Sequence, residues 1–250
     1  MYLLGIAAQY CGKFRKENQD YSTFVFNKNG INLCAIADGM GGHYGSKNAS
    51  KLALEILKTE FLKFNISQTT EIDDIQKWIV DVCKNIKKEM IEFCQKNTTF
   101  YDMGTTLNFT IIQNDKIFAV NIGDSRTYFT TQKSIIQLSK DQNILNEKNE
   151  ENENSNLFKD LSKNILANSL TSALGPNKKY IVQIKLIENV QKGWLLLCTD
   201  GIYSVVDDRS LLATIIRPIN LFSKIESLIN QAFVLGSKDN CSAVMIKIEN

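Results

Sequence analysis

The order of strand and helix patterns along the chain is the feature that most constrains its fold. Apolar, aromatic and β-branched runs predict strands in three groups, and helix patterns with apolar spacings of three and four fall between them. The predicted strands are 3–8, 21–26, 31–37, 105–112, 116–122, 126–131, 134–138, 181–187, 194–198 and 242–248, and the predicted helices are 49–61, 72–93, 209–216 and 221–233. Because consecutive strands follow one another without an intervening helix, we predict an α+β fold of antiparallel sheets with segregated helices.

The composition excludes several classes of protein. Lys and Arg number 29 against 27 Asp and Glu, so the net charge of +2 provides no broad basic surface for nucleic acid. His43 is the only histidine, which excludes metal sites built on two histidines and leaves His43 as the only base for a Ser/His/Asp triad. No run reaches the roughly 18 apolar residues of a membrane helix, and residues 1–8 lack the basic segment of a signal peptide.

The six cysteines also bear on the chemistry. They form no Cys-x-x-Cys pair and most lie in apolar segments, so we expect reduced thiols rather than disulfides, in a cytoplasmic protein. A cysteine-dependent phosphatase needs an arginine six residues after its cysteine, and no cysteine here has one. The sequence therefore disfavours dephosphorylation by a thiolate.

Five aspartates lie where predicted strands begin or end: Asp20, Asp38, Asp124, Asp200 and Asp239. Asp38 and Asp200 each follow a fully apolar strand and precede a glycine. For any one of these residues alone, a turn is the better interpretation, because Asp-Gly is common turn chemistry.

The loop that Asp38 opens differs from an ordinary hairpin. It reads Asp-Gly-Met-Gly-Gly-His-Tyr-Gly, and its glycines allow backbone groups to approach a ligand closely. Unpaired carboxylates at neighbouring strand ends would repel one another and raise their own pKa values, a cost that a bound divalent cation removes. Oxygen ligands suit Mg²⁺ or Mn²⁺ rather than zinc.

Eight short motifs occur in order along nearly the whole chain. They are Arg15-x-x-Asn18-Gln19-Asp20, Asp38-Gly-Met-Gly-Gly-His43 with Ala49-Ser50, Met103-Gly-Thr-Thr-Leu107, Gly123-Asp-Ser-Arg126, Leu138-Ser-Lys-Asp141, Leu170-Thr-Ser-Ala-Leu-Gly175, Leu197-Cys-Thr-Asp-Gly201 and Asp239-Asn240. Each motif alone is weak. In this order they resemble the type 2C metal-dependent (PPM-type) protein serine/threonine phosphatases, in their compact bacterial form.

The resemblance implies one catalytic domain over residues 1–250, folded as a four-layer α-β-β-α sandwich with a two-metal site at one end of its two antiparallel sheets. Asp38 matches the residue that bridges both ions, and the carbonyl of Gly39 matches a ligand of one of them. Asp200 and Asp239 match ligands of the other ion. The implied cofactors are two Mn²⁺ or Mg²⁺ ions.

Three further residues match functional positions of the family. Asp20 corresponds to an acidic residue that acts through metal-bound water, and Asp124 to one that helps to hold a third, weaker metal ion. Arg15 corresponds to the arginine that binds the substrate phosphate. Its planar guanidinium suits two phosphate oxygens, which a lysine cannot imitate.

The implied reaction is hydrolysis of phosphoserine and phosphothreonine monoesters in proteins. A hydroxide shared by the two ions would attack phosphorus in line with the departing oxygen, without a phosphoenzyme. The implied partners are phosphoproteins and a cognate bacterial serine/threonine kinase. We expect a monomer without nucleic-acid or membrane partners.

The chain departs from the family pattern at Gln19, at Met40 and at Gln142, which follows Asp141 where relatives often have His. Gln19 stands where some relatives have Glu, and we leave it out of the ligand set because an amide binds metal less strongly. Met40 occupies a position where other relatives have a histidine that could act as the general acid. For His43, three residues further on, we favour a structural role over proton transfer.

Two alternative functions follow from the same residues. A catalytically silent regulator on the same fold would bind phosphoproteins without cleaving them, but such forms usually lose metal-binding aspartates. A structural protein whose Asp-Gly pairs are only turns would not be stabilised by Mn²⁺.

A polar low-complexity run covers residues 146–156, within a loop of about 142–169, where bacterial relatives carry a mobile flap. The run either selects substrates or is a drifting loop without a function. We predict that a short Gly/Ser linker in its place leaves turnover of p-nitrophenyl phosphate unchanged, because this small substrate needs no selection. Loss of that turnover, measured at saturating Mn²⁺, would show that the run is part of the catalytic machinery.

Overall fold

The computed structural model describes residues 2–40, 45–146 and 169–249, and these residues form two antiparallel β-sheets flanked by helices. The strands are Tyr2–Tyr10 (β1), Asp20–Phe26 (β2), Asn32–Met40 (β3), Gly104–Thr105 (β4), Leu107–Gln113 (β5), Lys116–Ile122 (β6), Arg126–Thr130 (β7), Ile135–Gln137 (β8), Gln183–Ile187 (β9), Gly193–Cys198 (β10) and Cys241–Glu249 (β11). Sheet A has the order β1-β11-β10-β7-β8. Sheet B has the order β2-β3-β5-β6-β9, with β4 paired to β3.

The helices lie on the outer faces of the two sheets. They are Ser46–Lys63 (α1), Ile72–Lys96 (α2), the 3₁₀ turn Thr98–Phe100, Asp200–Tyr203 (α3), Asp208–Ile215 (α4) and Leu221–Val234 (α5). Two of them start at side-chain caps, since Asp207 accepts the N–H of Ser210 and Asn220 accepts the N–H of Ser223, each at 2.8 Å. These caps satisfy backbone donors that a helix start leaves without partners.

Three apolar layers separate the four layers of secondary structure. One lies between α1, α2 and sheet B, one between the two sheets, and one between sheet A and the helices α4 and α5. Alternate residues of β10 belong to two of these layers, since Leu195 and Leu197 face sheet B whereas Leu196 and Cys198 face the helices. Burial on both faces explains why the central strands read as continuous apolar runs. The predicted four-layer α-β-β-α sandwich is confirmed.

Strand β11 lies inside sheet A, between β1 and β10. It pairs with β1 along nine residues, Tyr2↔Glu249 to Tyr10↔Cys241, and on its other edge with β10. Residues 241–249 therefore form a central strand of sheet A, and residues 2–10 form the edge strand beside it.

Several sequence-based boundaries differ from the structure by a few residues, and two of the differences lie next to the aspartates. The strand predicted over 31–37 continues to Met40, because Asp38 pairs with Asp20 of β2 and Gly39 pairs with Thr105 of β4. Asp38 and Gly39 are therefore strand residues and not a turn. The short helix α3, directly after β10, was not predicted.

Other sequence predictions concern membrane segments and thiols. Among the described residues, none of the helices has an apolar stretch of the length that a membrane crossing requires. All six cysteines are unpaired, and five are buried, as expected. Cys11 is the exception because it is exposed.

Candidate active site

The five predicted aspartates meet at one end of the sandwich, where the two sheets approach each other. Asp20 and Asp38 lie directly opposite each other in β2 and β3 of sheet B. Asp200 begins helix α3 after β10, and Asp239 lies just before β11, so both come from sheet A. The charge of Asp38 interacts with those of the other four, including Asp124.

Two hydrogen bonds join the sheets at this end. The hydroxyl of Thr199, which follows β10, donates to Asp20 Oδ2 at 2.9 Å. The N–H of Gln19 donates to Asn240 Oδ1 at 3.0 Å. Because Thr199 Oγ1 also accepts the N–H of Ser242 at 3.1 Å, sheet A fixes the position of a carboxylate that belongs to sheet B.

Burial and mutual repulsion disfavour the charged forms of these carboxylates. Burial, followed by the charges of Asp200 and Asp239, raises the pKa of Asp20 to about 7 even though the hydrogen bond from the Thr199 hydroxyl lowers it. Burial and the neighbouring carboxylates raise the pKa of Asp38 well above its usual range, and burial and Asp239 raise the pKa of Asp200. Carboxylates at neutral pH in this arrangement require a compensating positive charge.

The segment that carries Asp239 is held between two glycines. A Cβ atom at Gly12 would lie 2.1 Å from the carbonyl oxygen of Asp239, and one at Gly201 would lie 1.9 Å from that of Asn240. No side chain fits at either position. Asn240 anchors the same segment through its Nδ2, which donates to the carbonyl of Glu17 at 3.1 Å.

Hydrogen bonds with Gln19, Thr105 and Thr106 hold the backbone of Asp38 and Gly39 in place. The N–H of Asp38 donates to Thr106 Oγ1 at 2.9 Å, and its carbonyl accepts the Thr105 hydroxyl and the Thr106 N–H, each at 2.9 Å. The N–H of Gly39 donates to the carbonyl of Gln19 at 3.2 Å. These bonds leave the Asp38 carboxylate in a fixed position beside Asp20.

Arg15 lies at the rim of the carboxylate cluster. Its Nη2 donates to Asp239 Oδ2 at 2.5 Å, and the arginine side chain is 45% exposed. Within residues 2–40, 45–146 and 169–249, the other nitrogens of its planar fork bind no acceptor. The structure therefore places the predicted phosphate-binding residue against one of the predicted metal ligands.

Asp124 lies on the other side of the cluster, next to a second charged network. Burial and the charge of Asp200 raise the pKa of Asp124 to about 7, while a hydrogen bond from the Tyr203 hydroxyl lowers it. The ring of Tyr203 stacks on Arg126, whose guanidinium lies 3.9 Å from the ring centroid. Arg126 binds Asp141 through Nε at 3.0 Å and Nη2 at 2.7 Å. The arginine of the Gly-Asp-Ser-Arg motif thus joins Asp141 to Tyr203 beside Asp124.

The donor set fits hard divalent cations. Asp200 Oδ1 is buried and has no hydrogen-bond partner in the part of the chain that the structure describes, so a cation would satisfy it. Within residues 2–40, 45–146 and 169–249, no three acidic, cysteine or histidine side chains converge closely enough to enclose an ion alone. Mg²⁺-type sites commonly use one or two carboxylates and complete their coordination with water, so few protein ligands are needed for each ion.

Sequence reasoning missed three residues that hold the site together: Thr199, Asn240 and Tyr203. Thr199 and Asn240 stand inside matched motifs, which is the only signal that could have found them. Tyr203 follows the Asp-Gly pair at 200–201 by one helical turn, a spacing that becomes informative only when helix α3 is known. His43 and residues 147–168 of the predicted flap lie outside the described residues.

Comparison with known proteins identifies the family to which the chain belongs. The family model described as Protein phosphatase 2C matches residues 14–232. The serine/threonine phosphatase Stp of Listeria monocytogenes is 27% identical over 236 residues, which cover 94% of this chain and 92% of that protein. A putative protein phosphatase of Mycoplasma pneumoniae is 27% identical over 244 residues, covering 95% and 93%.

A solved structure shows the same fold. The serine/threonine phosphatase of S. agalactiae superimposes with a TM-score of 0.90 at 22% sequence identity, covering 99% of this chain and 100% of that one. Because the family model spans most of its length, the chain belongs to the protein phosphatase 2C family. The predicted family and activity class, protein phosphatase, are thus confirmed.

The raised pKa values make stability depend on pH in a defined direction. Between about pH 4 and pH 7 the folded chain, free of metal, keeps protons that the unfolded chain has released, so its free energy of unfolding falls as pH rises. Each such group contributes at most about 1.4 kcal/mol per pH unit. In EDTA, we predict that Asp20→Asn is more stable than wild type at pH 7.5, and that the difference vanishes towards pH 4.

Urea unfolding at both pH values measures this difference. The asparagine amide oxygen can still accept the Thr199 hydroxyl, so the substitution tests charge rather than hydrogen bonding. A lower stability of Asp20→Asn at pH 7.5 in EDTA would contradict the repulsion among these carboxylates.

Proposed function

We propose that this chain hydrolyses phosphoserine and phosphothreonine monoesters of proteins, with two Mn²⁺ or Mg²⁺ ions held by Asp38, the Gly39 carbonyl, Asp200 and Asp239. The observation that carries the proposal is the meeting of buried carboxylates from both sheets, with one oxygen of Asp200 lacking any partner among the described residues. When bound, the ions would supply a water that is deprotonated near neutral pH and neutralise charge on the phosphoryl oxygens.

Arg15 would bind the substrate phosphate next to this cluster. Its contact with Asp239 uses Nη2 and leaves other guanidinium donors for phosphate oxygens. The ion pair also orients the guanidinium before substrate arrives, so less conformational entropy is lost on binding. Because the side chain is about half exposed, a phosphate on a protein surface can reach it.

Asp20 and Asp124 would act around the two ions rather than as their main ligands. Asp20 is 1% exposed and receives the Thr199 hydroxyl, which suits a carboxylate that positions water beside Asp38. Asp124 lies on the far side of Asp200, next to Tyr203, and would help to hold a third, weaker ion. In both residues a nearby cation would favour the charged form that burial disfavours.

The remaining parts of the proposal concern organisation and partners. Residues 1–250 would act as one catalytic domain, monomeric and cytoplasmic, with the loop around 142–169 near the site. Phosphoproteins would be its substrates, and a serine/threonine kinase would oppose it. The named relatives are protein phosphatases, which supports this assignment.

The rival proposal is a regulator on the same fold that binds phosphoproteins without cleaving them. All three aspartates that match metal ligands, Asp38, Asp200 and Asp239, are present and lie at the same end of the sandwich. Their presence favours the enzyme.

Substitution of a metal ligand tests the proposal. Asp239→Asn keeps the size of the side chain but removes a negative charge, so we predict at least a ~100-fold loss of kcat for p-nitrophenyl phosphate with Mn²⁺. Asp81→Asn, at an exposed position of α2, is the matched control and should retain wild-type turnover. Circular dichroism verifies that both variants are folded.

Two results would contradict the two-metal assignment. One is full turnover by Asp239→Asn, and the other is a wild-type melting temperature that Mn²⁺ does not raise above its value in EDTA. A wild-type chain that binds Mn²⁺ but never turns over would instead support the silent regulator.

The role of Arg15 gives a separate prediction. Arg15→Lys keeps the charge but loses the planar fork, so KM for a phosphopeptide should rise about tenfold, equivalent to one charge-assisted hydrogen bond. Initial-rate kinetics measure this change. An unchanged KM would show that another group binds the phosphate.

A further inference from the structure

A second cavity lies at the opposite end of sheet A from the aspartates and has a volume of about 420 Å³. Its floor is a row of residues from three neighbouring strands, in which Leu4 of β1 pairs with Lys247 of β11 and Lys247 pairs with Trp194 of β10. The segment 216–221 between α4 and α5 also lines it. From Trp194 to the other end of β10 the chain advances about 13 Å, at roughly 3.3 Å per residue, so the cavity is separate from the active site.

A buried cation lines this cavity. Lys224 of α5 is only 3% exposed, although a lysine is almost never buried without a charged partner. Its Nζ donates to the carbonyl of Ile215 and lies 4.8 Å from the centroid of the Trp194 ring. Burial and then the charge of Lys247 lower the pKa of Lys224, so the two ammonium groups repel each other.

A buried donor without a partner lies beside this cation. Trp194 is 8% exposed, and its Nε1 is buried with no acceptor among residues 2–40, 45–146 and 169–249. Such an orphaned donor is uncommon in a folded protein and costs stability. A ligand that carries acceptor oxygens would offset the positive charge of the lysines that line the cavity beside Trp194.

Most of the charged side chains that line the cavity are cationic. Its cationic side chains are Lys192, Arg217, Lys224 and Lys247. One acidic side chain, Glu249, lines it as well and pairs with Lys247 at 2.6 Å. Helix α5 begins at the same place, and its N-terminus adds partial positive charge.

Apolar side chains form the remaining wall. Leu4 and Ile219 line the cavity beside the cations, and Leu4 is 48% exposed. A site that accepted only an inorganic anion would not need this surface. The volume falls within the range of small-molecule sites in proteins, roughly 300–1,000 Å³.

We propose that this cavity is a binding site for a small organic anion, with its acidic head near Lys247, Arg217 and Lys224 and its apolar body against Leu4 and Ile219. The site does not depend on the proposed metal centre. It gives the phosphatase a second ligand site at the far end of the strands that carry the active-site aspartates.

Nuclear magnetic resonance of the Trp194 indole tests the proposal at the cavity itself. The chain has two tryptophans, so Trp78→Phe leaves Trp194 as the source of the only indole N–H signal. The probe is naphthalene-1-sulfonate, which combines an anionic head with an apolar body and cannot be cleaved as a phosphate ester. The comparison ligands are 1-naphthol, which keeps the body, and methanesulfonate, which keeps the head.

We expect a saturable shift of the Trp194 signal with naphthalene-1-sulfonate, and at least a ~10-fold weaker affinity for either comparison ligand. The double variant Arg217→Gln/Lys247→Gln should weaken binding of the sulfonate about tenfold or more, because charge-assisted bonds are lost. Lys58→Gln, an exposed lysine on α1, makes the same type of charge change far from the cavity and should bind like wild type.

Two results would overturn the proposal. One is a Trp194 signal that does not respond saturably to the sulfonate at millimolar concentration. The other is an affinity that is the same for 1-naphthol, or the same in the double variant, because binding would then be an adventitious apolar contact. The spectra of the variants also show that they are folded, so a loss of binding is not a loss of structure.

Discussion

The burial of several like charges at the seam between two sheets is the constraint on which the rest of the structure depends. Carboxylates such as Asp20 and Asp38 lose hydration there and repel each other, so they need rigid placement and either bound protons or a cation to offset their charge. Rigidity comes from strand pairing, because Asp20 and Asp38 are paired residues within sheet B. Flexible loops would let the charges separate and the site would be lost.

The three apolar layers provide the support that this arrangement needs. Sheet B contributes Asp20 and Asp38 and sheet A contributes Asp200 and Asp239, so the geometry of the site depends on how the two sheets pack. The layer between the sheets includes Leu195 and Leu197 of β10, within a few residues of Asp200. Substitutions in this layer would therefore affect catalysis as well as stability.

Much of the fold and of the site could be predicted from the sequence, because the signals were local. Strand β6 was predicted at its exact bounds, 116–122, and all five aspartates lie together as their positions at strand ends suggested. The extension of β3 to Met40 could not be predicted, because Gly39 and Met40 pair with β4, about 65 residues away. The roles of Thr199 and Asn240 also depend on contacts between distant segments, and spacing along the chain carries no information about those.

The position of β11 inside sheet A has a consequence for synthesis on the ribosome. Strand β1 is made first, but its neighbour in the sheet is β11, so its edge stays unpaired until residues 241–249 have emerged. Asp239 enters the chain at the same late stage. Until residues 241–249 pair with β1, nascent chains therefore hold an exposed strand edge, a surface that chaperones bind and that favours aggregation.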